Sequence, residues 1–480
     1  MTRSCIPTAA CGGAALLRPA LVSLFLISIV PAYASTPESD PSTRKLSAIS
    51  WLKDSSYLAD PAVRRGGLWE KLSYIPLGDD PAYYLSIGGE VRYHYTYFDE
   101  SSLGVGGNEN GALQQRLRLN ADFHLGPDLR VFTELGDSRE FFEKSPTRPN
   151  RDRLDLQQGF VDASFSVGGS RLTLRPGRFQ MPLGDGVLLG MRDGVNVRFA
   201  YDGLRAMYRT PGGTSVDLFI VRPVAVKDGS DFDDSPDHSA HLRGVYVSTP
   251  LEVMDGSRID VFAYDSTRAN ARYLDVTADE TRYSMGFRLF GKSGAYDYDG
   301  QLVRQTGDVG SKKIDAWGWL STAGYTFAEA RYAPRIGVKA NIFSGDRAST
   351  PGRIETFVAP YPRTPLYTDA GWFAMMNQSS LHADVSWKFT PKWSLNVGAT
   401  QLWRASRGDA IYFGPTSAPL APSAGGGKDV GLLYNLTSSY DVNRFLNVQL
   451  FYTYVDPGTA LVSAGGGASN FVGLWGRLIF

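Results

Sequence analysis

Residues 115–126, QRLRLNADFHLG, place Leu117, Leu119, Ala121, Phe123 and Leu125 at every second position, with Arg116, Arg118, Asn120, Asp122 and His124 between them. A strand sends alternate side chains to opposite faces, so one face of this segment is oily and the other ionic. The alternation starts at YYLSIGGEVRYHYTYF, where Leu85, Ile87, Val91, Tyr93 and Tyr95 oppose Glu90, Arg92 and His94. It recurs to the closing NFVGLWGRLIF, with Val472, Leu474, Leu478 and Phe480 on one face. Clusters of Gly, Pro, Asn and Asp separate the segments. The pattern predicts 18 strands, at 83–98, 113–125, 129–138, 154–167, 171–181, 201–209, 215–224, 241–248, 258–266, 280–291, 295–306, 313–325, 333–343, 379–389, 393–405, 429–440, 444–455 and 469–480.

The apolar face must meet either a protein core or lipid. Most segments reach the ~9–11 residues that a tilted strand needs to cross a bilayer, against ~5–6 in a globular sheet. The connections alternate long (99–112, 139–153, 182–200, 225–240, 344–378, 406–428) and short (126–128, 168–170, 292–294, 390–392, 441–443). With strands running up and down in order, the long loops share one end and the short turns the other, as in outer-membrane barrels. Tyr93, Tyr95, Tyr97, Trp387, Trp393, Tyr452 and Tyr454 suit interfacial girdles. The expected fold is all-β: a transmembrane antiparallel up-and-down barrel of about 18 strands. Leu117, Leu119 and Phe123 then face lipid, and Arg116, Arg118 and Asp122 face a watery interior. An Arg on the lipid face at mid-bilayer costs ~2–4 kcal/mol.

The N-terminus fits export. Arg3 and Arg18 precede an apolar run from Leu21 to Val30, and Ala32-x-Ala34 is a small-residue cleavage pattern, predicting a signal peptide over 1–34 cut near Ala34. Residues 35–82 read as a polar, periplasmic N-terminal lead-in, and 83–480 as the barrel. Cys5 and Cys11 both precede the cut, so no disulfide framework is expected. Removing Arg3 and Arg18 leaves 49 − 2 = 47 basic against 49 acidic residues, so any preference for a charged partner must be local.

Strand parity supplies the local preference. Basic positions assigned to the interior are Arg92, Arg116, Arg118, Arg130, Arg175, Arg205, Arg209, Arg243, Arg282, Arg288, Arg335, Lys339, Lys388 and Arg477. The acidic set is smaller: Glu90, Asp122, Glu134, Asp162, Asp217, Asp260, Asp297, Asp299 and Asp384. Arg178 and Arg222 fall where the phase slips. Rings of Arg and Lys favour anions, and guanidinium matches carboxylate geometry. Interleaved Arg and Asp also suit a solvated lining that only stiffens the wall.

Neither GxSxG nor HExxH is present, so no catalytic residue, cofactor or metal is assigned, and no enzyme activity is expected. DFDDSPD at 231–237 is rich in oxygen ligands that suit Ca²⁺, but lacks EF-hand spacing and reads as a solvated loop. No nucleic-acid motif appears.

WEKLSYIPLGD, YLSIGGEVRYHY, QQRLRLNADFHLGPDLRVFTEL, RDRLDLQQGFVDASF, LTLRPGRFQMPLGDGVLLGMRDGVNVRFAYDGLRAMY, FSGDRAST and the closing strand, in that order, resemble the alginate export family of outer-membrane proteins. The resemblance spans roughly 65–480. It implies a monomeric 18-stranded barrel passing a polyanionic polysaccharide through an Arg-rich constriction gated by infolded loops. Arg118, Arg130, Arg175, Arg178 and Arg205, with Asp162 and Asp202 as partners, are the positions most like the family's. Loops 182–200 and 344–378 are the expected constrictions, since GDGVLLGMRDGVNVRF is too apolar to wave in water. Expected partners are an anionic polysaccharide or oligosaccharide or a small anionic solute, outer-membrane lipid, the barrel-assembly machinery and periplasmic export components. A solute-uptake porin and a plugged structural barrel remain open alternatives.

Overall fold

The computed structural model describes residues 46–480, except 65, 106–108, 145–149, 255, 348–351, 364–365, 415–417, 421–422 and 424–425. The expected signal peptide, its cleavage position and both cysteines lie outside the described residues.

Eighteen strands form one antiparallel barrel. They are β1 (Tyr83–Phe98), β2 (Asn110–Leu125), β3 (Leu129–Phe141), β4 (Asp152–Val167), β5 (Ser170–Phe179), β6 (Tyr201–Arg209), β7 (Ser215–Ala225), β8 (His241–Pro250) and β9 (Ser257–Arg272). They continue as β10 (Thr277–Ser293), β11 (Tyr296–Val309), β12 (Lys312–Thr326), β13 (Arg335–Phe343), β14 (Gln378–Thr390), β15 (Trp393–Arg404), β16 (Asp429–Asp441), β17 (Leu446–Pro457) and β18 (Ser469–Ile479). The ring closes where β1 pairs with β18, Glu90 opposite Ile479 and Phe98 opposite Phe471. No edge is left for lipid, which cannot satisfy an unpaired backbone.

Every predicted strand has its counterpart. The ends moved most at β9, which continues past the predicted 266 to Arg272 beyond a bulge between Arg268 and Ala271 that breaks the alternation. Loop lengths correct the expectation in one respect. The loop end also carries two tight hairpins, at 273–276 and 310–311, so long and short connections do not alternate throughout.

The two faces of β2 separate as the pattern requires. Leu117, Leu119 and Phe123 are exposed on the outside of the ring, while Arg116, Arg118 and Asp122 are buried within it. Exposed Tyr83, Tyr296, Trp393 and Tyr440 mark the turn end of the outer surface. Tyr95 and Tyr452 mark the loop end, giving two girdles around an apolar band.

A break in the ladder at Arg175–Pro176 explains the phase slip near Arg178. Across β4 and β5 the register is the same on both sides of Arg175–Pro176, Ala163 opposite Leu174 and Phe160 opposite Gly177, but the ladder is interrupted between them, and Arg175 and Arg178 are both buried while Pro176 is exposed. Pro176 has no N–H to donate to the ladder at that break. Gly177 adopts φ +125°, and a Cβ there would lie 2.3 Å from the Gly159 carbonyl oxygen. Gly177→Ala is therefore expected to cost about 1–3 kcal/mol. A lower temperature for loss of heat-modifiable gel migration checks it; an unchanged transition refutes the steric reading.

Candidate functional site in the barrel lumen

The lumen is not an open pipe. Residues 180–200, between β5 and β6, and the described residues of 344–377, between β13 and β14, fold into it and zip together. Gly190 N donates to Tyr361 O at 2.7 Å, Tyr361 N to Leu188 O at 3.2 Å, and Arg363 N to Gly186 O at 2.8 Å. The sequence GDGVLLG permits this approach, because a Cβ on Gly190 would sit 2.6 Å from the Arg363 nitrogen. Leu183, Leu188, Leu189, Phe357 and Val358 then bury against Phe179, Tyr201, Phe219 and Tyr246 of the wall. Part of the inner wall is therefore apolar by design of the loops.

One carboxylate pins the first loop to the opposite wall. Asp193 receives Arg116 at 2.7 Å, Arg198 at 2.5 Å and Arg477 at 2.8 Å. Its carbonyl accepts from Arg92 at 2.6 Å, and Arg92 also reaches Val195 O and Asn196 Oδ1. Burial alone would raise the Asp193 carboxyl, but Arg198, Arg116, Arg477 and Arg92 together hold it well below the usual range. Glu90 completes the cluster, 2.6 Å from Arg116, 3.5 Å from Arg118 and 3.4 Å from Arg198. Arg118 also pairs with Glu134.

A ladder of ion pairs continues round the wall. Asp122 holds Arg130 at 2.7 Å, Arg130 lies 3.7 Å from Asp162, and Asp162 holds Arg175 at 2.6 Å. Arg178 pairs with Asp202 at 2.9 Å. Asp217 takes Arg205 at 2.5 Å and Arg209 at 2.9 Å. Arg282 binds Glu280 at 2.9 Å and reaches Thr356 O of the second loop, and Arg288 lies between Asp260 (3.2 Å) and Asp299 (2.9 Å). Arg335 pairs with Asp297 at 2.9 Å, while Asp384 lies 3.7 Å away and accepts from Asn396. Most of the lumen's arginines are thus neutralised by neighbours, in keeping with a stiffened lining.

On the turn side of the zipped loops lie two cavities. One of about 600 Å³ is bordered by Arg130, Arg175, Arg205 and Arg258. The other, about 440 Å³, is bordered by Arg335, Lys339, His382 and Asp384. Asp185 and Arg363 line both, so they stand at the junction. The larger cavity carries eight Arg (130, 175, 192, 205, 209, 258, 288, 363) against four Asp (185, 193, 217, 260), which makes it the basic chamber. Among the described residues the Arg363 guanidinium has no ion pair, and its Nε is buried without a hydrogen-bond partner. Arg192, its guanidinium 3.9 Å from the centre of the Phe199 ring, is pulled down to about 10 by burial. The segment before β1 enters the same space. Ile49 and Trp51 border the larger cavity, Trp51 O accepts from Arg130, and Ala48 O accepts from Arg198.

Of the predicted lumen residues, one is misplaced. Arg243 lies on the outer face near the loop end of β8, its side chain 57% exposed and paired with Asp265. The inward positions of that strand are taken by Leu242 and Tyr246, which pack against the infolded loops, and parity based on a wholly polar interior inverted them. Lys388 is exposed at the turn end of β14. Arg92, Arg116, Arg118, Arg130, Arg175, Arg178, Arg205, Arg282, Arg288, Lys339 and Arg477, with Glu90, Asp122, Glu134, Asp162 and Asp202, all lie within the ring.

The sequence profile of the alginate export family matches residues 83–474, which run from the first barrel strand into the last. The chain belongs to the alginate export family. Among solved structures it is similar to three Pseudomonas aeruginosa proteins. OccD3 (OpdP) has TM-score 0.53 and 11% identity, over 92% of this chain and 99% of that one. OccK11 (OpdR) has TM-score 0.50 and 13% identity, over 82% and 96%. OccK2 (OpdF), solved in complex with glucuronate, has TM-score 0.50 and 12% identity, over 82% and 96%. No curated protein matches this chain by sequence. Family and fold together make it an outer-membrane channel, with its short turns at the periplasmic end.

Members of this lumen that parity could not find are Asp193, Asn196, Arg198, Tyr361 and Arg363. All lie on loops, where no alternation exists. Only the apolar run VLLGM inside loop 180–200 signalled that the segment is packed rather than solvated.

Proposed function

We propose that this channel passively conducts anionic saccharides of the uronate class, and that Arg363 is the group that selects them. The observation that carries the reading is a guanidinium free of carboxylates at the junction of two chambers whose other arginines are largely paired. Cavities of about 600 and 440 Å³ suit one or a few sugar rings. A uronate entering the larger chamber meets Arg363 and leaves it again because Asp185 borders the same junction, giving attraction enough to enter and too little to trap. Glucuronate bound to OccK2, a barrel of the same fold, supports that chemistry.

Family membership supports a second reading, an anionic polysaccharide of alginate type threading the same route. Both readings need the zipped loops to part; a polymer needs them apart for the whole passage. The lead-in before β1 acts at the periplasmic end after removal of residues 1–34, and the barrel works as a monomer.

In planar bilayers under a salt gradient, the expected reversal potential is that of an anion-preferring pore, with current reduced by added glucuronate. Arg363→Ala is expected to lose most of that preference and block, and Arg363→Lys to retain the preference. Equal selectivity in wild type and Arg363→Ala rules out the assigned role. Current blocked by polyuronate and untouched by monomer moves the conclusion to the polymer.

A further inference from the structure

A second feature sits near the loop end, outside the transport route described above. On β4 the register against β3 runs Gly136 to Asp155 and Ser138 to Asp152, four residues on β4 opposing three on β3. This bulge turns both Asp152 and Asp155 inward, where they are 1% and 3% exposed. The loop between β7 and β8 folds back onto them. Phe232 N donates to Leu154 O, and Asp234 N donates to Asp155 Oδ2 at 2.9 Å. Carboxylate oxygens of Asp152, Asp155 and Asp234 then lie within 4.8 Å of one another.

Among the described residues the charge is not balanced by basic side chains. Arg178 is 3.6 Å from Asp155, but it is held bidentately by Asp202. Lys227 offers its backbone N–H to Asp234 and its ammonium to Asp233 O and Ser235. Asp152 Oδ2 accepts from Gln157, whereas Asp152 Oδ1 is buried with no hydrogen-bond partner among the described residues. Three carboxylates with oxygens this close, one of them carrying a buried oxygen without a partner, are strongly unfavourable unless a cation or a shared proton joins them.

We propose that Asp152, Asp155 and Asp234 form a calcium site that fastens the β7–β8 loop to the barrel wall. Two oxygens, each ~2.4 Å from a shared Ca²⁺, are at most ~4.8 Å apart, whereas Mg²⁺ at ~2.1 Å draws them to within ~4.2 Å and keeps more of its own water. A flexible loop supplying one ligand and a rigid strand supplying two suits the looser geometry of calcium. The ion removes the repulsion among three acids and gives Asp152 Oδ1 its partner. In sequence, this is the acidic DFDDSPD stretch completed by two residues about 80 positions earlier.

Full-length mature protein, refolded in detergent free of lipopolysaccharide and stripped with chelator, is dialysed to equilibrium against radioactive calcium. One bound ion per chain is expected, with Kd on the order of 10⁻⁴–10⁻³ M, as in extracellular modules. Asp152→Asn and Asp234→Asn are expected to weaken binding at least tenfold. Asp234→Asn changes only the loop, so retained heat-modifiable migration certifies its barrel. Absence of saturable binding in wild type overturns the site and leaves the shared proton as the explanation. Undiminished binding in Asp234→Asn, or competition by equimolar magnesium as effective as by calcium, overturns it too.

Discussion

Replacing Asp193 with alanine is expected to raise single-channel conductance several-fold while leaving the barrel folded. The reason is charge. Asp193 meets Arg116, Arg198 and Arg477 directly and Arg92 through its carbonyl, inside a cluster where Glu90 is the other acid paired with Arg116 and Arg198. Removing the carboxylate leaves buried guanidinium groups facing one another, a change worth about 3–5 kcal/mol when one member of a buried pair is deleted. The strands cannot move to relieve this, because each is held by two ladders. Loop 180–200 can, since it is held to this wall by side-chain and carbonyl contacts of Asp193, Val195, Asn196 and Arg198 instead of by a strand ladder. Asp193→Asn keeps the size and loses the charge, so it should fall nearer to alanine than to wild type. Carboxyl protonation is a poor substitute: those guanidinium groups hold the Asp193 carboxyl well below the usual carboxylate range against the opposing effect of burial. Wild-type conductance from a folded Asp193→Ala barrel would falsify the latch.

What could be read in the sequence follows from what each segment faces. A strand between lipid and water writes its two solvents into alternate residues, so β2 was legible from Leu117, Leu119 and Phe123 against Arg116, Arg118 and Asp122. Where the inner face meets folded loops instead of water, the code changes. On β8, Leu242 and Tyr246 look inward because loop 180–200 covers them, and Arg243 goes outward to Asp265. An Arg there is tolerable near the end of a strand, where the lipid-face penalty falls to ~0–1 kcal/mol. The latch was not legible at all. Asp193 and Arg477 are 284 residues apart, and nothing local distinguishes Asp193 from a solvated loop acid. Loop infolding itself was partly legible, because VLLGM cannot be left in water, but its partner at Tyr361 and Arg363 has no such signature. The Arg178 phase slip carried information that parity discarded, since a Pro-Gly pair within a strand signals an interrupted ladder.

Conductance should also depend on pH, rising between about pH 5 and 8, through Asp369 on the second loop. This carboxyl lies 3.7 Å from His94 on β1, near Arg92 and Arg477, with Asp193 adding negative charge. Burial is the main influence and raises it to about 6, Arg92 and Arg477 opposing and Asp193 assisting. An acid whose pKa is raised in the closed arrangement stabilises that arrangement in its protonated form. The contribution is therefore complete below its ordinary value of 3.8 and is lost as pH climbs through about 6. A shift of this size corresponds to about 3 kcal/mol at most, and water reaching a parted loop reduces it. The ratio of open to closed time should accordingly grow on the order of tenfold from pH 5 to pH 8. Asp369→Asn mimics the protonated acid and should stay quiet across the range, whereas His94→Gln should retain the dependence. Dependence that survives in Asp369→Asn and vanishes in His94→Gln assigns the proton to the histidine, and the carboxyl explanation is then wrong.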